Sequence, residues 1–399
     1  MKKIFEKYKA DENNPKWKNL IKRQKELYLR NNGIRTEFDR DYTRIIHCNA
    51  YRRLKHKTQV FFSPDNDHIC TRVEHVTHVE SISYTIAKYL GLNIELTKAI
   101  STAHDLGHGP FGHEGEKILS QISKRDIGEN FWHEKNGLDI VDKIELLEDN
   151  LKNKRNLNLT YAVRDGIISH CGEIDENNIR PRDEYFNLSE YKQPNQYAPY
   201  TWEACVVKIA DKISYLGRDI EDAITLDILG VNLEELYKLL DYKSDEKINN
   251  TTIINNVIKD LCENSSPEKG LCFSNEIFEK INKIKKFNYK NIYLSERVQP
   301  CIRYYKLVLN EIYDTLKKTF NNGKPLLKIE QLKKIYPKLM NEFLEWLSLY
   351  WNLERTSELK NDSLFNISNE KDYYKAIIYF ISGMTDNYAI EIYNEIIGF

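Results

Sequence analysis

The chain of 399 residues is poor in the features that staple, anchor or polarise a protein. Its seven cysteines (Cys48, Cys70, Cys171, Cys205, Cys262, Cys272 and Cys301) are odd in number and far apart, and no Cys-x-x-Cys pair occurs. That pattern suggests neither a disulfide framework nor a thiolate zinc site, and it fits a reducing, cytosolic setting. No run of about 18 apolar residues appears anywhere, so no membrane span is expected. The opening MKKIFEKYKADENNPKWK lacks the apolar core of a signal peptide, which makes a cytoplasmic location the expectation. Net charge is also nearly absent: 59 basic against 60 acidic residues leave −1. A generic polyanion binder usually carries a marked basic excess, so that class is disfavoured. Alternating strand-like runs are scarce, and KTQVFF (57–62) is the best strand candidate.

What is present is helical spacing. Val73, Val76, Val79, Ile82 and Ile86 recur every three or four residues, as do Val206, Ile209, Ile213, Leu216 and Ile220. Glycine and proline fall mostly between such segments, as at Ser63-Pro64, Gly107 to Gly112 and Gln193-Pro194. The fold class read from this is all-α, a bundle of many helices with a large buried core. Three regions are expected: a helical N-terminal extension over 1–34, a core over 35–225, and a helical C-terminal region over 226–399 that includes Trp346 and Trp351. Within the last, residues 243–291 are rich in Lys, Asn and Ile and read as a connector. Arg35, Arg40, Arg44, Arg52, Arg53, Lys55 and Lys57 crowd one segment, consistent equally with a solvated helix face and with an anion pocket.

All ten histidines lie between His47 and His170, and three of them fall in HDLGHGPFGHEGE (104–116) with an aspartate, two glutamates and four glycines. A lone histidine is usually a satisfied core residue, but four positions stand out when spacing is joined to helix geometry. His75 begins the helix of Val73, Val76 and Val79. His104 and Asp105 end a helix that breaks at Gly107, where successive side chains are able to converge. Asp211 sits in the apolar VVKIADKISYLG, where an unpaired carboxylate is expensive to bury and a cation removes the expense. Two imidazoles and two carboxylates make a mixed N/O set suited to Mn, Fe, Mg, Ni, Co or Zn.

The H...HD...D order so formed resembles the signature of the HD superfamily of metal-dependent phosphohydrolases. More narrowly, FDRDYTRIIHCNAYRRLKHKTQVF (38–61), TRVEHVTHVESI (71–82), HDLGHGPFGHEGE (104–116), FWHEKNGLDIV (131–141), ADKISYLGRDIEDA (210–223) and SGMTDNYA (382–389) are similar to the deoxyguanosine triphosphate triphosphohydrolase (dNTP triphosphohydrolase) family. The dipeptide HD alone is weak; HDxGHxPFGHxGE following RRLxxKTQVF is specific. The resemblance implies an HD-domain helix bundle with additional C-terminal helices, and metal ligation by His75, His104, Asp105 and Asp211. It implies a catalytic pair in His113 and Glu116, whose three-residue spacing at a helix start places both on one face. Substrate contacts are implied at Gln59, Arg72, His108, His133, Lys212, Tyr215 and Asp219. Of these, Tyr215 and Asp219 continue the stripe begun by Asp211 at i+4 and i+8. Arg53 is read either as a phosphate contact or as a loop brace, His133 and His170 either as lining the substrate cavity or as binding a second metal, and SGMTDNYA receives no role.

The activity so implied is attack of metal-bound water on the α-phosphorus of a deoxynucleoside triphosphate, releasing deoxynucleoside and inorganic triphosphate. A nucleotide activator, single-stranded DNA and homo-oligomerisation to a dimer, tetramer or hexamer are further partners the resemblance leaves open. Two other classes compete. A nucleoside monophosphate 5'-nucleotidase or a binuclear cyclic-nucleotide phosphodiesterase also keeps H...HD...D, but without an expected KTQVF block or FGHxGE pair. A nucleotide sensor or single-stranded-DNA-binding regulator is favoured by the basic segment and disfavoured by the near-zero net charge.

Overall fold

A computed structural model describes residues 3–26, 34–62, 66–171, 176–230, 233–240 and 250–398. The fold is all-α, relieved among the described residues by one small antiparallel ladder in which Leu146 to Glu148 face Asn156 to Lys154. No described helix is long and apolar enough to cross a membrane. The chain forms two compact units, each discontinuous in sequence: Met1–Thr43, Asp65–His104 and Leu159–Pro300 in the first, and Arg44–Pro64, Asp105–Asn158 and Cys301–Phe399 in the second.

The first unit is built on four helices, Arg72–Leu90, Ile94–Ala103, Tyr161–Ser169 and Trp202–Thr225, of which Ile94–Ala103 and Trp202–Thr225 each pack on the other three. Of the apolar residues that define their periodicity, Val76, Val79, Ile82, Ile86, Val206, Ile209, Ile213, Leu216 and Ile220 are buried and Val73 is half-buried. Each end is set locally. Thr71 and Glu74 form a reciprocal capping box ahead of Arg72, and Gly91, at φ +86°, closes the same helix in the left-handed conformation. Asn93 then accepts from the amides of Glu95 and Leu96, both at 3.0 Å, to start the next helix. Gly166 allows close helix contact, because a Cβ there would lie 2.6 Å from Ile100 Cγ2.

A buried ion pair ties this bundle to its loops. Asp165, fully buried, accepts from the Arg182 guanidinium and, at 2.7 Å, from the Tyr200 amide, while Arg182 also donates to the Tyr161 hydroxyl at 3.1 Å. Arg182→Met is expected to destabilise the protein by about 3–5 kcal/mol, because it leaves Asp165 as a buried charge without its counter-ion. A denaturant midpoint equal to that of the parent protein would refute this.

The second unit packs Gly112–Asp126 against Glu370–Ser382, with Pro337–Ser348 and Asp386–Ile397 alongside. Its core is aromatic. Phe343 lies edge-on to Phe380 at 5.2 Å, and Trp346 contacts Tyr350 at 4.9 Å and Phe380 at 5.6 Å.

Three local expectations are corrected. KTQVFF forms no strand; Thr58 turns its amide to the Asp386 carboxylate at 2.8 Å, and Lys57 donates its own to Leu54 O at 3.2 Å. The N-terminal stretch holds only short helical turns at Glu6–Tyr8 and Trp17–Leu20 among its described residues. There the Asn14 side chain donates to the carbonyls of Tyr8 and Lys9 and accepts from the Lys16 amide, in competition with a helical ladder. The Lys/Asn-rich stretch 243–291 carries the helices Asn250–Asn264 and Asn275–Asn288, both packed on Trp202–Thr225. Sparse apolar residues suffice: Val257, Leu261, Ile281 and Ile284 are buried, and Ser274 caps the second helix. Residues 243–249 of that stretch, and Ser63 and Pro64, lie outside the described residues.

Candidate functional site

In the first unit, His75 comes from the first turn of Arg72–Leu90, His104 from the end of Ile94–Ala103, and Asp211 from the middle of Trp202–Thr225. Asp211 Oδ1 stands 3.0 Å from His75 Nε2 and 3.7 Å from His104 Nε2, and one donor atom from each residue lies within 4.8 Å of the others. The ring tautomers follow from the partners of Nδ1. His104 Nδ1 meets the Ser101 carbonyl at 2.6 Å, and a carbonyl only accepts, so Nδ1 carries the proton. Ser214 uses its hydroxyl hydrogen on the Asp211 carbonyl at 2.7 Å, so at 3.3 Å it accepts from His75 Nδ1. In both rings the Nε2 lone pair therefore faces a carboxylate oxygen. Such an arrangement calls for positive charge among the three, and an Nδ1–H held by a hydrogen-bond acceptor, here the Ser101 carbonyl for His104 and the Ser214 hydroxyl for His75, is the usual support of an imidazole that binds metal through Nε2. The donor set fits a divalent ion. His170 presents a third imidazole 5.1 Å from His104, anchored in the same way through Nδ1 to the Ile167 carbonyl at 2.7 Å.

The Asp211 helix also carries titratable groups with shifted protonation. Burial pushes Asp219 up to about 7, and the Tyr293 hydroxyl donates to its Oδ2. Burial, with Lys285 and Lys208 adding like charge, brings Lys212 down to about 8. Lys212 and Lys285 share a cleft with Glu176, Asn177, Phe273 and Phe278. Arg72 is 1% exposed at the start of its helix.

In the second unit the glycine-rich segment gathers His108, His113 and Glu116 with His133. Two glycines are obligatory there. A Cβ on Gly107 would lie 1.9 Å from the His133 carbonyl, and one on Gly115 would lie 1.8 Å from the Pro110 carbonyl. The Glu116 carboxylate accepts from the His133 amide at 3.0 Å, meets His133 Nδ1 at 3.0 Å and lies 3.5 Å from His113 Nδ1. Burial opposes ionisation of Glu116, but the His133 charge and hydrogen bonds from both histidines overcome it and hold the carboxyl well below the usual range. Burial likewise opposes the imidazolium of His133, and Glu134 and Glu116 overcome it, pushing the ring up to about 10. His108 stacks on His133 at 3.9 Å and faces Asp105 Oδ1 through Nε2 at 3.2 Å. His113, at 60% side-chain exposure, is the ring of this group with access to solvent.

The HD domain model matches residues 72–216, and the phosphohydrolase-associated domain model matches 271–395. The deoxyguanosinetriphosphate triphosphohydrolase-like protein of Caldanaerobacter subterraneus subsp. tengcongensis is 31% identical over 91% of this chain and 85% of its own length. Those of Rickettsia bellii (32%, 91% and 92%) and Pelagibacter ubique (33%, 91% and 94%) are similar throughout. This chain belongs to the deoxyguanosinetriphosphate triphosphohydrolase-like family of the HD superfamily. It is an HD phosphohydrolase, of a superfamily whose members depend on metal.

For a member of this family the placement of the candidate residues is informative. His75, His104 and Asp211 converge in the first unit; Asp105 follows His104 in the chain and is counted with the second. His113 and Glu116 face one another, yet Glu116 is bound more closely to His133, which sequence had grouped with substrate contacts. Gln59 is buried in the irregular segment after Lys57. Arg53 is braced by Glu145 at 2.8 Å. Other cations of the basic segment are also engaged within the protein, Arg40 by Glu37 at 2.9 Å and Lys57 by backbone carbonyls. Sequence reasoning missed Glu134, Lys285 and Tyr293. Glu134 adjoins His133 in FWHEKNG and was there to be weighed; Lys285 lay in a stretch read as connector and Tyr293 just beyond it.

Proposed function

We propose that this HD phosphohydrolase acts on a deoxynucleoside triphosphate, giving the deoxynucleoside and inorganic triphosphate. The observation that carries the reading is the convergence of His75, His104 and Asp211 in a chain whose relatives are named for deoxyguanosine triphosphate triphosphohydrolysis. Asp105 is the fourth ligand of the set. A divalent ion held there supplies charge neutralisation at phosphoryl oxygens and a lowered pKa for water.

The chain's own residues do the rest. Water adds to the α-phosphorus, the bond to the 5'-oxygen breaks, and that oxygen takes a proton. His113 delivers or relays the proton, with Glu116 orienting its ring and His133 holding Glu116 in place. Arg72 and Lys212 offset the charge of the triphosphate, with His108 as a further contact. Tyr215 and Asp219 contact the sugar and Gln59 the sugar or base. Asp219, raised to about 7 by burial, can accept from or donate to a 3'-hydroxyl near neutrality.

The test is chromatographic product analysis after incubating the purified protein with each of the four dNTPs and with GTP, in Mn or Mg. Deoxynucleoside and intact triphosphate are the expected products, and the pattern across bases gives the specificity. Failure to release triphosphate from any of them would overturn the reading. Orthophosphate from a nucleoside monophosphate, or a linear product from a cyclic dinucleotide, would replace it with another HD phosphohydrolase activity.

A further inference from the structure

SGMTDNYA (382–389) is the junction between the helices Glu370–Ser382 and Asp386–Ile397, and it grips both loops that bear candidate site residues of the second unit. Asp386 is 1% exposed. One carboxylate oxygen accepts from the Thr58 amide at 2.8 Å, next to Gln59, and the other from the Phe111 amide at 2.8 Å, two residues before His113. Lys57, 3% exposed, donates from the same locale to the carbonyls of His108 and, at 3.1 Å, of Ser382. The charges suit the junction: the cation lies at the C-terminal end of one helix and the anion in the first turn of the next.

Phe111 is what the grip acts on. It holds φ +63° immediately before the helix Gly112–Asp126, a left-handed conformation that a non-glycine residue adopts only when its surroundings impose it. Its ring is fixed as well, stacked on Tyr305 at 4.4 Å and edge-on to Phe62 at 6.0 Å. Gly112 follows at φ +57°, so the direction in which His113 and Glu116 leave the backbone is set at these two left-handed residues, of which Phe111, with its Cβ, is the one strained by the conformation.

We propose that Asp386 is a positioning residue: with Lys57 it holds Phe111 in its left-handed conformation and so aims His113 and Glu116 from the start of their helix. The inference rests on the proton-transfer role given to that pair above. It also accounts for Lys57 and Thr58 of the KTQVF block as parts of one clamp, beside the substrate contact at Gln59.

The experiment compares Asp386→Asn with the parent protein. Asparagine keeps the shape but offers one acceptor oxygen and turns an NH2 toward the other amide, so one of the two loops loses its tie. Amide hydrogen exchange is followed in peptides covering 57–62 and 105–116, together with bound metal and with kcat and KM for whichever dNTP the parent protein hydrolyses. Exchange in at least one segment is expected to quicken, with kcat lower by roughly 10- to 100-fold, KM within about twofold, and metal content unchanged. Lys57→Met, which cuts the other side of the clamp, should give the same split and replaces Asp386→Asn should that variant not fold. Tyr388→Phe, on the same helix as Asp386, removes only a hydroxyl that donates to Glu342 of Pro337–Ser348 and should leave exchange and kinetics unchanged. Unaltered exchange in both clamp variants would overturn the proposal, as would quicker exchange at parental kcat. A parent protein that turns over no dNTP refutes the assigned activity instead, and the exchange data alone then decide whether Asp386 holds these loops.

Discussion

His104→Ala should lose bound metal and activity together, with turnover falling by about a thousandfold or more, since a catalytic ion is worth several kcal/mol of transition-state stabilisation. His104 is fully buried, and its Nδ1 is committed to the Ser101 carbonyl, so the ring has one orientation and Nε2 one direction in which to act. Alanine removes one imidazole of the proposed four-residue set and leaves His75, Asp105 and Asp211, one donor short, so affinity for the ion is expected to fall. The measurement is metal stoichiometry by elemental analysis after loading with Mn, alongside turnover and circular dichroism to verify the helices. Full metal content in a folded His104→Ala protein would remove His104 from the ligand set.

Glu116→Ala should behave oppositely with respect to metal. It is expected to keep the ion and to lose about 10²- to 10⁴-fold in turnover, the range typical of a proton-transfer group. Glu116 binds both His113 and His133, so its removal leaves the exposed His113 ring without the carboxylate that sets its Nδ1 side. His133 keeps Glu134 at 3.4 Å as a counter-charge, so the second unit is expected to stay folded. Glu116→Gln retains the shape and separates loss of charge from loss of packing. Full turnover in Glu116→Ala would end the relay, whereas loss of metal would move Glu116 to the ligand set. Together the two variants distinguish a residue that holds the ion from one that handles the proton, which activity alone does not.

Much of the architecture was legible because it rests on local signals. The helices Arg72–Leu90 and Trp202–Thr225 follow from apolar residues every three or four positions, and the break after His104 from Gly107. The gathering of His75, His104 and Asp211 was legible through chemistry: a carboxylate in an apolar helix segment needs a partner, and the histidines were the candidates. What stayed hidden depends on contacts distant in sequence. Tyr293 reaches Asp219 across 74 positions and Asp386 reaches Phe111 across 275, and no local periodicity encodes either. KTQVFF misled for a related reason. β-branched and aromatic residues favour a strand only where another strand is available to pair, and here the Asp386 carboxylate takes the Thr58 amide instead. The Lys/Asn-rich stretch misled through composition, since a few buried isoleucines, leucines and valines and a serine cap are enough to hold a helix against a large apolar neighbour.

The interleaving of the two units bears on how the protein is made. The first unit is not complete until Pro300 has been synthesised, and the second, begun at Arg44, draws on the chain as far as the final helix. At about 5–20 residues per second, His104 is made roughly 5–20 s, and His75 somewhat longer, before Asp211 is available to cover them. Nascent helices with uncovered apolar faces therefore persist through most of translation. Neither unit is obtainable as a contiguous fragment, and a stop codon anywhere between Cys301 and Asp386 removes part of the second unit's core and leaves its glycine-rich loop without Asp386 to hold it.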